Sequence, residues 1–432
     1  MKRKILNELL DQYERSKLFR EGSSARRVML QVSANRKFAA FNENADEKEE
    51  FLAALSELTD AGLTEFSWVR FEKGNLVDRV FLVTDEEAVA RSYSTAGRVP
   101  LGRQLDVLGT MIRETLVRMN SAFAEEHLEP SASTTDIQRF LLEEIYEIEK
   151  KKSLPRYFFH GGVSEQKFES DCELNGKLLL FLETVDSMTE DELERVISTR
   201  LYGDSKYFER EMRSKVLQIL RQTARNEDRE VPDDEELLKE RGVVKWPEIL
   251  EFCGSVKVTF ENDGSVDYSA LRFGAYINSG TVRAVSGVEL VGISRIISIE
   301  NKANYTWYVE NAADRSELVL YHGGCFSPAK GRWFSLIAAE SEDIPVYHWS
   351  DIDLGGFRIF TRLRKEIFPQ ALPWRMDVKT LEEHRDRCIP LPEGGYRKKL
   401  EAIAADPEYA CFAEVIRYML DEGVRLEQEA EV

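Results

Sequence analysis

The sequence lacks any apolar run approaching the roughly 18–20 residues that a membrane helix needs, so no membrane partner is expected. Cysteine is scarce. Five residues, at positions 172, 253, 325, 388 and 411, are scattered along 432 residues with no Cys-x-x-Cys pair. An odd, dispersed set of thiols argues against a disulfide framework or a zinc module and for a reduced, cytoplasmic chain. The start, MKRKILNELLDQYERS, carries charges throughout its apolar residues and so lacks the uninterrupted core of a signal peptide. Positive charge is also in short supply, with 59 Lys and Arg against 78 Asp and Glu, a net charge of −19. A phosphate-backbone binder ordinarily presents a basic surface, so the overall balance speaks against a nucleic-acid partner.

The distribution of charge weakens that objection. Residues 1–40 hold ten Lys and Arg against four acids, while much of the acid lies elsewhere, as in residues 227–240. The basic cluster is either a local DNA path or a solvated face. An apolar content of 43 % and a charged content of 32 % describe a globular chain, long enough for roughly two to four domains.

Apolar periodicity predicts an amphipathic helix over residues 2–19, with Ile5, Leu6, Leu9, Leu10 and Tyr13 on one face. A second helix is predicted over 47–60, with Phe51, Leu52, Leu55 and Leu58 inward and Gly62 as its stop. Two β-rich runs follow, 64–71 and 76–83, separated by a turn at 72–75. Helix, helix, hairpin is the order of a winged-helix unit, which either binds DNA or mediates protein contacts. Residues 101–128 and 134–152 read as long charged helices, and 172–224 as mostly helical with a break near Tyr202-Gly203-Asp204-Ser205. From about residue 255 the texture changes to short strands, then to strands alternating with helices: strands at 295–299, 317–321 and 344–349, helices at 330–340 and 354–367. That alternation implies a parallel sheet covered on both faces.

Three polar elements stand just after the ends of those three strands: Glu300, Gly323-Gly324, and Asp351-x-Asp353. Open α/β sheets bind ligands beyond those ends. Carboxylates converging there repel one another unless a hard divalent cation, Mg²⁺ or Mn²⁺, offsets them. The bland alternative is that Asp351 or Asp353 caps the helix that follows. Gly355-Gly356 would permit close backbone approach to a ligand. His322 and His348 are candidate proton shuttles, although His348 lies inside a predicted strand. Trp333 and Trp349 read as core.

The segments Ser298-Ile299-Glu300-Asn301-Lys302, Tyr321-His322-Gly323-Gly324-Cys325-Phe326 and Tyr347 to Phe357 resemble the JetD nuclease family of Wadjet anti-plasmid systems. Arg200 to Lys206 and Leu9 to Ser16 resemble it too, more loosely at the N-terminus. The family is related to the A subunit of topoisomerase VI. The resemblance implies an α+β multidomain chain: an N-terminal winged-helix and helical arm over 1–155, a middle CAP-type winged-helix domain over 156–254, and a C-terminal α/β Toprim domain over 255–432. It implies that Glu300, Asp351 and Asp353 are the Toprim glutamate and DxD pair, catalytic and metal-binding. It also implies a homodimer acting on double-stranded DNA with a condensin-like SMC and kleisin motor complex. Lys206 is either a phosphate contact or a surface lysine, and Lys302 is a candidate partner of the scissile phosphate.

Other readings remain open. Topoisomerase VI uses a tyrosine nucleophile, but here Tyr202 and Tyr207 flank Gly-Asp-Ser-Lys without the adjacent-tyrosine motif of those enzymes, which favours hydrolysis by water. A primase would bring a zinc module, which the cysteine spacing excludes. In a phosphohydrolase of the haloacid-dehalogenase type the DxD follows the first strand of its domain, whereas here the Glu-bearing strand precedes it. A catalytically weak DNA-binding or scaffolding subunit would use the same folds without cutting.

Overall fold

The computed structural model describes residues 1–39, 45–121, 123, 129–161, 164–226, 231–324, 326–392 and 394–432. Residues 122 and 124–128 of the helix expected over 101–128, residues 227–230 of the acidic segment, and Cys325 lie outside the described residues. The chain divides into two compact units, Met1–Asp186 and Ser187–Val432. No helix among the described residues is long and apolar enough to cross a membrane.

In the first unit, α1 (Lys2–Arg15) buries Ile5, Leu6, Leu9 and Leu10, the stripe its spacing predicts. The helix expected over 2–19 breaks at Ser16, and a short turn of helix, Lys17–Glu21, precedes strand β1 (Met29–Gln31); after another, Arg36–Ala39, come α2 (Ala45–Asp60) and the hairpin strands β2 (Thr64–Trp68) and β3 (Val77–Leu82). The helix, helix, hairpin order is therefore present. The hairpin gains a third strand that the sequence reading did not include, because β1 pairs antiparallel with β3 to give the order β1-β3-β2. Four helices follow: α3 (Glu86–Ala96), α4 (Leu101–Met119), α5 (Asp136–Tyr146) and α6 (Glu165–Asp186). A reciprocal capping box between Thr135 and Gln138 starts α5. Both side chains also donate to the carboxylate of Asp186, at 2.6 and 2.8 Å.

The second unit opens with α7 (Glu194–Tyr202), ended by Gly203 in the left-handed region (φ 74°), and α8 (Arg213–Asn226). Gly203 is the break expected near 202–205. Then come β4 (Ile249–Cys253), β5 (Val256–Phe260), β6 (Ser265–Asp267), β7 (Ala275–Asn278) and β8 (Val285–Leu290). The alternating stretch is β9 (Arg295–Ile299), α9 (Lys302–Asn311), β10 (Glu317–Tyr321), α10 (Pro328–Ala339), β11 (Val346–Trp349), α11 (Leu354–Glu366) and β12 (Leu372–Pro373).

The principal sheet has six strands in the order β12-β11-β9-β10-β4-β7, and β8-β5-β6 form a separate antiparallel sheet. The protein is thus a mixed α+β chain with several sheets. The expected parallel sheet is mixed. β9, β10, β11 and β12 run parallel, and β4 and β7 add antiparallel at one edge. The parallel strands are joined by helical crossovers, which parallel pairing requires, while the antiparallel strands need none. Strand β4 lies wholly before residue 255 and yet pairs with β10 in this sheet.

The central strands are mostly apolar because both faces are covered. Ile296, Leu318, Leu320 and Val346 pack against Trp333, Phe334, Phe357 and Phe360 of α10 and α11. Ile297, Ile299, Val319 and Trp349 pack against Tyr305 and Tyr308 of α9. Trp333 and Trp349 are fully buried core residues, as expected.

Candidate metal centre

Strand β9 lies between β10 and β11, and the register pairs Ile299 with both Tyr321 and Trp349. Glu300, His322 and Ser350 therefore leave the sheet side by side at its C-terminal edge. Backbone bonds fix the exit. The Glu300 N–H donates to Trp349 O at 3.0 Å, the His322 N–H to Ile299 O at 2.7 Å and the Gly323 N–H to Glu300 O at 3.1 Å. The cleft beyond is lined by Glu300, Lys302, Tyr321, Gly323, Gly324 and Asp351.

Glu300 is half-buried, and its Oε2 is enclosed without a hydrogen-bond partner among the described residues. Burial, then the charges of Asp351 and Asp353, push its pKa up to about 8. Burial also pushes Asp351 up to about 7. The nearby carboxylates of Asp353, Glu427 and Glu429 add to this, and a hydrogen bond from the Gln428 backbone opposes it. Oxygen donors crowded until they retain protons near neutrality, one of them enclosed and unpartnered, fit a hard divalent cation such as Mg²⁺ or Mn²⁺.

The two aspartates stand differently. Asp353 caps α11, with its Oδ1 accepting from the Gly356 N–H at 2.9 Å and its Oδ2 paired with Arg425 Nη1 at 2.9 Å. The capping alternative therefore applies to Asp353. Asp351 Oδ1 accepts instead from the Gln428 N–H at 2.6 Å. Among the described residues, Asp351, Glu427 and Glu429 can each bring one oxygen to within 4.8 Å of the others. Glu427, Gln428 and Glu429 were not foreseen. Only their alternation of acidic and neutral residues is visible in the sequence, and nothing local ties them to a loop 77 residues upstream.

Gly356 does not serve ligand approach. A Cβ there would lie 2.2 Å from Asp351 O and 2.8 Å from Ser350 Oγ, so the glycine lets the DxD loop fold back onto its own helix. Lys302 borders the cleft, pairs with Glu251 and lies over the rings of Tyr321 and Tyr305, at 4.7 and 5.2 Å. Lys206 is exposed on the turn after α7, its N–H donating to Asp204 Oδ1 at 2.8 Å, and is not among the residues lining the cleft. His322 and His348 are fully buried, with ring centroids 5.2 Å apart. Burial holds His322 well below its ordinary value and lowers His348 to about 3. A neutral pair beneath the sheet edge is poorly placed to exchange protons with a substrate. Tyr202 stacks on Tyr207 at 4.8 Å, and burial raises its hydroxyl pKa, which disfavours the phenolate that a nucleophile needs.

A mixed α/β sheet with acidic side chains gathered at the ends of its parallel strands defines the class: an α/β domain able to hold a divalent cation. Residues 258–431 match the family described as Wadjet protein JetD, C-terminal. Across 442 aligned residues, 99 % of this chain and 98 % of the relative, the chain is 25 % identical to the Wadjet protein JetD of Bacillus cereus (strain Q1). The chain is thus similar to JetD along nearly its whole length, and the match to the JetD C-terminal family is confined to residues 258–431.

Proposed function

We propose that this chain is a metal-dependent DNA endonuclease of the Toprim type that cuts plasmid DNA within a Wadjet anti-plasmid system, alongside a condensin-like motor complex. The observation that supports this reading is that Glu300 and Asp351 line one cleft at adjacent parallel-strand ends, with the Asp353 charge near Glu300 and, among the described residues, no hydrogen-bond partner for Glu300 Oε2. On this reading β9 to β12 and their helices are the Toprim domain, the hairpin unit around α1 and α2 is a winged helix, and the chain works as a homodimer. A bound cation would activate water and stabilise the leaving oxygen of a phosphodiester. Glu300 and Asp351 supply negative oxygens at the cleft. Asp353 orders the loop through Gly356 and Arg425. Lys302, at the cleft border, is placed to meet a phosphate. The raised pKa of Tyr202 favours hydrolysis over a tyrosine-linked intermediate.

The test is incubation of supercoiled plasmid with the protein and Mg²⁺ or Mn²⁺, with and without the motor proteins and ATP, beside an EDTA control and Glu300→Ala. The expected result is metal-dependent nicking or linearisation by the wild type alone, with free DNA ends. Cutting by Glu300→Ala, or protein bound covalently to the ends, overturns the reading. So does intact plasmid under every condition, which favours a scaffold.

A further inference from the structure

We infer that Arg425 and Gln428 are positioning residues that hold the two aspartates of the DxD loop in unlike roles, so that Asp351 faces the cation and Asp353 anchors the loop. The inference rests on the metal-site reading above and deepens it.

Residues 425–428 lie along the DxD loop as a strap. Ile352 and Leu426, both buried, bridge in antiparallel fashion, with N···O distances of 2.9 and 3.3 Å. On one side of that bridge Arg425 pairs with Asp353 Oδ2 at 2.9 Å. With Gly356 on Oδ1, both oxygens of Asp353 are engaged, and Asp353 is absent from the cleft lining. On the other side, Gln428 is buried and bonds to four residues around the site. Its N–H donates to Asp351 Oδ1 at 2.6 Å. Its side-chain Oε1 accepts from the Asn301 N–H at 2.9 Å, next to Glu300, and its Nε2 donates to Trp349 O at 3.1 Å. Its carbonyl accepts from Asn304 Nδ2 at 2.7 Å. One residue thus spans the ends of β9 and β11 and orients the carboxylate between them. Groups that orient a ligand in this way typically alter metal affinity by about ten- to hundredfold when removed.

The geometry allows the N–H to be tested apart from the side chain. Gln428 opens a short helical turn, Gln428–Glu431, and Glu427 before it is extended (φ −77°, ψ 138°). Proline is tolerated at such a first position and after such a residue. Gln428→Ala keeps the donor to Asp351, and Gln428→Pro removes it. Mn²⁺ binding is measured by calorimetry on the full chain, counting only binding that Glu300→Ala abolishes, with melting temperature recorded for every variant. Gln428→Pro is expected to bind Mn²⁺ about tenfold more weakly than Gln428→Ala. Arg425→Ala is expected to weaken binding and Arg425→Lys to restore most of it, because lysine keeps a cation opposite Asp353. Wild-type Mn²⁺ affinity in Gln428→Pro overturns the inference and leaves the metal site standing. If the proline variant does not fold, equal affinities for Arg425→Ala and Arg425→Lys overturn it. If the wild type itself binds no Mn²⁺ that depends on Glu300, the metal-site reading falls and this inference falls with it.

Discussion

Arg295 and Glu317 face each other across the parallel register of β9 and β10, the guanidinium Nε donating to Glu317 Oε1 at 2.7 Å. The pair sits at the end of the sheet opposite Glu300, and it pins the register of the two strands that deliver Glu300 and Gly323 to the cleft. Glu317 is 3 % exposed and also accepts from the Tyr308 hydroxyl at 3.0 Å and the Asp314 N–H at 3.1 Å. The arginine, by contrast, reaches solvent. Losing the arginine strands a buried carboxylate, so Arg295→Ala is expected to cost about 3 kcal/mol. Glu317→Gln keeps most of the hydrogen bonds and is expected to cost about 1 kcal/mol. Urea denaturation decides the matter, and equal losses would contradict the asymmetry.

The acidic centre predicts a split between activity and stability. Glu300→Gln, Asp351→Asn and Asp353→Ala are each expected to abolish metal-dependent cutting. The first two remove a charge from a crowded set and are expected to leave metal-free stability unchanged or raised. Asp353→Ala also loses the cap of α11 and is expected to cost about 1 kcal/mol more. Cutting assays beside thermal melts test this, and a larger stability loss in Glu300→Gln than in Asp353→Ala would count against it.

Gly356 and Gly331 make a matched pair within helices α11 and α10. Alanine at 356 meets Asp351 O at 2.2 Å, whereas nothing lies within 4 Å of a Cβ at 331. Gly356→Ala is expected to destabilise by about 2–3 kcal/mol and to disturb Mn²⁺ binding. Gly331→Ala is expected to gain up to about 1 kcal/mol from helix propensity. Similar melting temperatures for the two variants would show that the DxD loop does not depend on that close approach.

Asp191 makes stability depend on pH. It is 2 % exposed, and burial followed by the charge of Glu248 raises its pKa from 3.8 to about 6. The folded chain therefore holds a proton between those values that the unfolded chain releases, and this contribution to stability falls as pH rises from 3.8 to about 6. The full effect is about 3 kcal/mol. Asp191→Asn is expected to flatten the pH dependence of melting in that window. An unchanged slope in the variant would remove Asp191 as the cause.

Much of this architecture was legible in the sequence where it is local. The strands at 295–299 and 317–321 have the expected bounds, because continuous apolar runs ending at a polar residue mark buried parallel strands. Helix α9 was missed because KANYTWYVEN shows no clear apolar stripe, although Tyr305, Tyr308 and Val309 cover one face of the sheet. The antiparallel edge was missed because β4 and β7 are separated by 21 residues of turn and hairpin before they pair. That Glu300 and Asp351 line one cleft is legible from their places after adjacent strands, whereas the helix-capping place of Asp353 is one of two roles the DxD leaves open. The division of labour between the aspartates is not legible, since it depends on Arg425 and Gln428, more than 70 positions downstream.

The distance between Asp351 and its donor also sets an order of events in biosynthesis. Gln428 is added 77 residues after Asp351, which at ordinary translation speeds takes roughly 4–15 s. Over that interval the nascent chain carries the acidic loop without the backbone group that orients it. Every bond that Gln428 makes waits for that residue, so a ribosome stalled in this stretch holds a chain with Glu300, Asp351 and Asp353 already made and no strap.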